Sequence, residues 1–92
     1  MEVNMRRFNF KLDNGTALTI KPPTLRQYYK GLLLAQTDPQ LFRSVAEICS
    51  RNDERAEITE EYIVDNFTTD DLQRFMKEFP AWINTEKESD PN

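Results

Sequence analysis

Two adjacent pairs of acidic residues are the groups in this chain whose spacing first suggests catalysis. Glu60 and Glu61 form one pair, and Asp70 and Asp71 form the other. Paired carboxylates can perform general acid–base catalysis when both reach the reacting atoms. On the helices predicted below, however, neighbouring side chains point about 100° apart and do not converge. Acidic residues also favour the first turn of a helix, so we interpret both pairs as helix starts.

Other catalytic and metal-binding chemistries lack the residues that they need. The chain contains no histidine and one cysteine, Cys49, which removes the usual zinc sites and the Ser-His and Cys-His nucleophile systems. It has no Asp-x-Asp-x-Asp-Gly calcium loop, and its two glycines are too few for a glycine-rich phosphate loop. We therefore expect no enzyme, no metal, no cofactor and no small-molecule substrate, and we expect Cys49 to be a small core residue.

Length and composition predict one small soluble domain. The chain has 92 residues, of which 38% are hydrophobic and 30% are charged, a balance typical of globular proteins. No apolar run approaches the roughly 20 residues that a membrane span needs. The charged first residues, 1–7, are followed by no apolar signal region, so we expect a cytoplasmic protein.

The charge is distributed unevenly along the chain. Residues 1–30 carry six basic and two acidic groups, whereas residues 31–92 carry six basic and fourteen acidic groups. Such an asymmetry can drive head-to-tail self-association or attract a polar partner. It can also reflect two solvated faces with no binding role. Nucleic-acid binding is disfavoured, because the acidic remainder would repel phosphates.

The first predicted element is a β-hairpin. Apolar and polar residues alternate on both sides of Asp13-Asn14-Gly15, a turn sequence in which the last two residues tolerate positive φ angles. Two strands alone are marginal in water, so the apolar face must be covered by helices or extended by strands of another copy. The outer edge of the hairpin is a plausible assembly surface. The apolar face comprises Phe8, Phe10, Leu12, Leu18 and Ile20.

Two helices are predicted after the hairpin. Thr24 and Gln27 form a capping box for a helix from Leu25 to about Gln36. Gly31 within it suggests either close approach by another backbone or a tolerated glycine. Asp38, followed by proline, is predicted to be the N-cap of a second helix that ends near Arg51. The apolar stripe of the first helix comprises Leu25, Tyr28, Tyr29, Leu32 and Leu33, with Leu34 outside it.

A polar connection separates these helices from the rest. Residues 51–57 are charged or polar apart from one alanine, so we expect an exposed loop. Thr59 is predicted to cap a short helix over residues 60–65.

The closing helix, Thr68 to Ile83, has the best-specified start. Thr68 and Asp71 match a capping box, and Phe67 and Leu72 match a hydrophobic staple. Pro80 should kink or interrupt the helix. Residues 85–92 contain no apolar side chain and are predicted to be a disordered acidic tail.

Aromatic residues are abundant enough to suggest a partner surface. Six Phe, three Tyr and one Trp in 92 residues exceed what a minimal core needs, although any single one is more often a core residue. In the closing helix we expect Leu72, Phe75 and Met76 to complete the core and the residues around Pro80 to be shared with a partner. The predicted partner-binding residues are Tyr28, Tyr29, Phe79, Trp82 and Ile83.

The order of these elements resembles a known family. The hairpin sequence FNFKLDNGTALTIKPPT, the acidic middle and the closing FTTDDLQRFMKEFPAWI helix look like the small tail assembly chaperones of long-tailed bacteriophages, especially those that infect Gram-positive bacteria. The resemblance implies a non-enzymatic oligomer that binds the apolar, helical tape-measure protein and keeps it soluble in the host cytoplasm. It also implies that the protein is absent from the mature virion.

The sequence thus predicts an α+β protein that is mainly helical. A single domain over residues 1–84 contains an N-terminal hairpin and a bundle of three to four helices, followed by the tail. Self-association into higher oligomers is expected, because copies in series would present repeated apolar grooves to one long client. The alternative is a small adaptor or regulatory protein, antitoxin-like or an anti-repressor, that docks one folded partner.

Overall fold

A β-hairpin begins the described part of the chain, residues 6–88 of a computed structural model. Strands β1 (Phe8–Lys11) and β2 (Ala17–Ile20) pair antiparallel, with the first residue of β1 opposite the last residue of β2. Gly15 has φ 97°, a left-handed conformation that glycine adopts readily. The apolar side chains of both strands point to one buried face, so the predicted hairpin is confirmed.

Four helices follow the hairpin. They are a π-helix (Arg26–Leu32), α1 (Asp38–Cys49), α2 (Glu60–Asn66) and α3 (Thr69–Glu88). The predicted fold class, a mainly helical α+β protein with an N-terminal hairpin, is confirmed. Helix α3 continues four residues beyond the predicted domain boundary at residue 84, and positions 89–92 of the predicted tail lie outside the described residues.

The first helix differs from its prediction in type and length. Its capping box is present, since the Thr24 N–H donates to Gln27 Oε1 at 3.0 Å and the Gln27 N–H donates to Thr24 Oγ1 at 3.1 Å. The following turns are wider than those of an α-helix, and the Leu33 N–H reaches back five residues to the Tyr28 carbonyl at 2.9 Å. The helix ends at Leu32 and not near Gln36.

The start of α1 also corrects the prediction. Asp38 is the first helical residue, and the N-cap is Thr37, whose Oγ1 accepts from the Gln40 N–H at 3.3 Å. Threonine and aspartate both suit this position, so the sequence did not distinguish two neighbouring candidates. The helix ends at Cys49, two residues before the predicted Arg51.

The caps of α2 and α3 agree with prediction. Thr59 is the N-cap of α2, and its hydroxyl accepts from the Tyr62 N–H at 3.0 Å. At α3, the Asp71 N–H donates to Thr68 Oγ1 and the Thr68 N–H donates to Asp71 Oδ2, both at 3.0 Å. Pro80 lies inside α3. Because the helix continues to Glu88, the alternative in which Pro80 interrupts it is wrong.

Residues 53–55 and 57 are exposed, as predicted for this connection, but residues 51–54 also pair with the hairpin. They lie along the outer edge of β2, where the Lys21 N–H donates to the Arg51 carbonyl at 2.7 Å and the Asp53 N–H donates to the Thr19 carbonyl at 2.9 Å. Asn52 is 4% exposed, and its amide bonds the carbonyls of Cys49 and Ala56. This edge of the hairpin is therefore covered by the chain itself.

Helix α3 covers the apolar face of the hairpin. Asp71, Phe75 and Phe79 recur at four-residue steps and are fully buried. The ring of Phe79 packs edge-on against Phe8 with centroids 5.2 Å apart, and that of Phe75 packs against Phe10 at 5.4 Å. The expectation that the chain's own helices cover the hairpin is confirmed. Cys49 is also fully buried, as expected, and burial raises the pKa of its thiol to about 12.

Candidate functional site

The most prominent surface feature is a set of exposed apolar side chains on and beside the π-helix. Among the residues that the structure describes, five large hydrophobic side chains are exposed, and four of them lie within ten positions. We call these four the apolar strip. Its members are Leu25 (76% exposed), Tyr29 (46%), Leu33 (49%) and Leu34 (60%).

The strip lies along and beside the π-helix: Tyr29 is within it, Leu25 and Leu33 are its cap residues, and Leu34 follows. In an α-helix, apolar residues at steps of three and four form one stripe, and the predicted stripe contained Leu25, Tyr29 and Leu33 together with Tyr28 and Leu32. A π-helix bonds each residue to the fifth one along the chain and is therefore wider. Only Tyr28 and Leu32 reach the core, at 5% and 3% exposure, and the other apolar residues remain at the surface.

Basic residues accompany the strip. Arg26 and Lys30 are exposed and each follows a member of the strip in sequence. No acidic residue occurs between Asn14 and Asp38. The segment that carries the strip is thus basic on a chain whose net charge is -4, which favours partners with acidic flanks. One acidic residue from another element, the exposed Glu47 of α1, lies in a groove wall with Lys30 and Leu34.

A shallow groove of about 300 Å³ runs between the π-helix and α1, beside the strip. Gly31 lies in its wall, and a Cβ atom there would be 3.1 Å from Ser44 Oγ. Glycine therefore permits close packing of the two helices, although the contact is with a side chain and not with the backbone that the sequence suggested. The wall is mixed in character, formed by Lys30, Gly31, Leu34, Ala35, Gln40, Arg43, Ser44 and Glu47.

A second groove, of about 190 Å³, lies where α1, α2 and the start of α3 meet. We call it the apolar groove, because most of its wall is hydrocarbon. The fifth exposed hydrophobic residue, Val64, stands in this wall at 58% exposure. The lining residues are Phe42, Ile63, Val64, Phe67, Thr68, Thr69 and Leu72.

The predicted partner-binding residues do not form one surface. Tyr29 belongs to the apolar strip, whereas Tyr28 is 5% exposed and stacks edge-on against Tyr29 at 5.0 Å. Burial raises the pKa of the Tyr28 phenol, and the charge of the neighbouring Tyr29 raises it further by a smaller amount. Tyr28 is therefore a core residue that packs against the Tyr29 ring of the strip.

The other predicted residues lie at the far end of α3. Phe79 is fully buried, so its expected position on a shared surface is wrong. Trp82 is half-buried over Phe8, with centroids 5.6 Å apart, and the Arg6 guanidinium lies 4.6 Å from the centre of its ring. Ile83 is also half-buried against the core. This region contributes to stability and offers only part of its surface to a partner.

The acidic pairs of the sequence occupy structural positions. Glu60 and Glu61 begin α2. Asp71 is fully buried and accepts from the Thr68 N–H at 3.0 Å, the Asp13 N–H at 3.1 Å and Arg74 Nη2 at 3.1 Å. Burial raises the pKa of Asp71, but the hydrogen bonds from Thr68, Asp13 and Arg74 outweigh it and lower the pKa. Asp71 thus ties the helix to the hairpin turn.

The sequence did not predict a binding role for three members of the strip. Leu25 and Leu33 were placed on a buried stripe, and Leu34 was left outside it. The run Leu32-Leu33-Leu34 carried a usable signal, because three consecutive residues of a helix cannot all face one core. It did not specify which of them would be exposed.

Within the described chain, no three acidic or cysteine side chains converge into a group that could hold a metal ion. None of the helices in residues 6–88 combines the length and the apolar character that crossing a membrane requires. Comparison of the chain with protein-family models, with curated proteins and with solved structures finds no match.

Proposed function

We propose that this protein is a non-enzymatic tail assembly chaperone of a long-tailed bacteriophage, which binds the apolar, helical tape-measure protein through the apolar strip. The observation that supports this proposal most strongly is the clustering of four exposed apolar side chains beside one helix. A strip of this kind can pack along the apolar face of a client helix. The positive charge beside it suits acidic residues that flank such a face.

The strength of one contact favours action by several copies. Burying the exposed parts of three leucines and one tyrosine contributes about 4 to 6 kcal/mol. Loss of translational and rotational freedom offsets much of this gain. One copy would therefore bind weakly, and many copies would be needed to cover the apolar surface of one long client. In this proposal the complex forms in the host cytoplasm, and the chaperone is released before the virion is complete.

Co-expression with the cognate tape-measure protein tests the proposal. We expect the client to be soluble with this chain and to co-purify with several copies of it. A Leu25→Ser, Leu33→Ser double variant should lose at least half of the soluble client, because both side chains lie in the strip. Val64→Ser is the matched control, since it removes an exposed apolar side chain elsewhere and should leave client solubility unchanged.

Two results would contradict the proposal. One is a client that remains insoluble with and without this chain. The other is a double variant that folds normally, as judged by its circular dichroism and melting temperature, and still solubilises the client as well as the natural chain does. A stable complex of one copy with one folded partner would favour the adaptor function.

A further inference from the structure

We infer that the apolar groove receives the apolar strip of a second copy of this chain, so that free copies associate head to tail. The inference concerns the protein before it meets client, and it rests on the proposed function for its biological meaning. The contact itself can be tested without any client, and its failure would leave client binding at the strip untouched.

The size of the apolar groove suits a single large side chain. Its volume is about 190 Å³, and an apolar cavity of about 150 Å³ in another protein accommodates a benzene molecule. A tyrosine ring or a leucine side chain of the strip therefore fits. Five of the seven lining residues are hydrophobic, so such a side chain would exchange water for hydrocarbon contacts.

The charges around the apolar groove are opposite to those around the strip. The segment from Glu57 to Gln73, which supplies six of the seven lining residues, contains six acidic residues and no basic one. Five of the six can contribute to the surface charge, because Asp71 is fully buried and pairs with Arg74. Asp65 and Asp70 are exposed and directly follow the lining residues Val64 and Thr69. The nearby Arg43 pairs with Glu60 at 3.7 Å, which neutralises only part of this charge.

The strip supplies the complementary charges. Arg26 and Lys30 are exposed beside it, and no acidic residue lies between Asn14 and Asp38. Docking of the strip into the apolar groove would therefore bring basic side chains toward Asp65 and Asp70. Opposite charges at the rim of an apolar contact fix its register and reject like-charged surfaces. A strip facing another strip would place basic residues together, which disfavours that arrangement.

The apolar groove and the groove beside the strip lie on opposite sides of α1. Ser44 of α1 faces the π-helix in the first groove, whereas Phe42 faces α2 in the apolar groove. Residues two positions apart on an α-helix point about 200° from each other. One copy can therefore use its strip toward one neighbour and its groove toward another. This is a heterologous contact, which produces a ring or an open chain of copies.

A consequence is competition for the strip. A copy whose strip is seated in a neighbour's groove cannot offer it to a client at the same time. Self-association would keep the strip covered until client is present, and client binding would dissociate the chain of copies. The apolar groove would then become free on each copy that has bound client.

Sedimentation equilibrium of the full chain tests the contact. The natural protein should form complexes larger than a dimer as its concentration rises, and association should weaken in high salt. Leu25→Glu places an acid in the strip against an acidic groove, and Val64→Lys places a base in the groove against a basic strip. Each variant alone should associate at least about tenfold more weakly. Mixed together, they should form a complex, because each still contributes one intact surface.

The control is Ala17→Glu, which adds a charge at an exposed position of β2 opposite Lys11 and should associate like the natural chain. Three results would overturn the inference. They are a natural protein that stays monomeric at all concentrations, a Val64→Lys variant that associates normally, and a mixture of the two variants that remains monomeric while the natural chain associates. In the client assay, Val64→Lys should retain activity and Leu25→Glu should lose it.

Discussion

Removal of the Asp71 carboxylate should cost a large share of the stability of this fold. Its oxygens accept from the Thr68 N–H, the Asp13 N–H and Arg74, so Asp71→Ala breaks the capping box and the link between α3 and the hairpin turn together. The change leaves the backbone N–H groups of Thr68 and Asp13 without the acceptor that the buried carboxylate supplies. We expect the helix start and the turn to loosen as one unit.

The magnitude follows from the three contacts. Loss of a capping interaction costs about 1 kcal/mol, and loss of the charged hydrogen bond to the Asp13 N–H costs about 1.5 to 3 kcal/mol. The pair with Arg74 adds only about 0.5 to 1 kcal/mol, because the arginine side chain is 31% exposed and water screens it. The total is about 3 to 5 kcal/mol, which corresponds to a Tm lower by at least about 12 °C for a domain of this size.

Thermal and urea unfolding, followed by circular dichroism, measure this loss. Asp70→Ala is the matched control, because Asp70 occupies the same helical turn but is exposed. Its removal should cost only about 0.3 to 1 kcal/mol through the helix dipole. If the two variants unfold within about 0.5 kcal/mol of each other, the assigned role of Asp71 is wrong. Asp71→Asn should be intermediate, since one amide oxygen can replace only part of the network.

Three further experiments test the titration of Asp71 and the packing of Trp82 and Gly31. The pKa of Asp71 is lowered in the folded state. The carboxylate therefore contributes fully to the free energy of unfolding above its pKa in the unfolded chain, about 3.9, and this contribution is lost as pH falls through the folded pKa. The stability gap between the natural chain and Asp71→Asn should therefore narrow in acid urea titrations, and a gap constant down to pH 2 would contradict this. Trp82→Ala should lower the free energy of unfolding by about 1 to 3 kcal/mol, since a half-buried ring on Phe8 is removed; an unchanged Tm would restore Trp82 to a pure binding role. Gly31→Ala should be about 1 kcal/mol more favourable in a Ser44→Ala background than in the natural chain, because the hydroxyl 3.1 Å from the new methyl group is absent there; additive effects would rule out this contact.

Local signals in the sequence predicted the hairpin and the helix starts well. The Asn14-Gly15 turn, the Thr59 cap and the Thr68–Asp71 capping box depend on residues within four positions of one another, and all three occur in the structure. Such features are encoded by short-range hydrogen bonds and φ preferences. A sequence can therefore reveal them without knowledge of the fold.

Tertiary contacts explain the errors. The connection over residues 51–57 is exposed at four of its seven positions, as predicted, but Asn52 is buried, because its amide side chain bonds carbonyls on both sides and its backbone pairs with β2. Phe79 was separated from the core because Pro80 was expected to redirect the helix, whereas α3 continues without a break. The π-helix depends on wider hydrogen bonding that residue types do not specify. Of the predicted apolar stripe, only Tyr28 and Leu32 are buried, and the rest belongs to the candidate site.

The contact between α3 and the hairpin also sets the order in which the chain can fold during its synthesis. Phe8 packs against Phe79, and the hairpin turn bonds Asp71, so the partners are separated by most of the chain. At a translation rate of about 5 to 20 residues per second, the hairpin would wait about 4 to 14 seconds for the helix that covers it. During that interval its aromatic face is open to other nascent chains. Contacts of this range also slow folding relative to a purely helical bundle, so the ribosome-bound chain is the stage at which this protein is most exposed to misassembly.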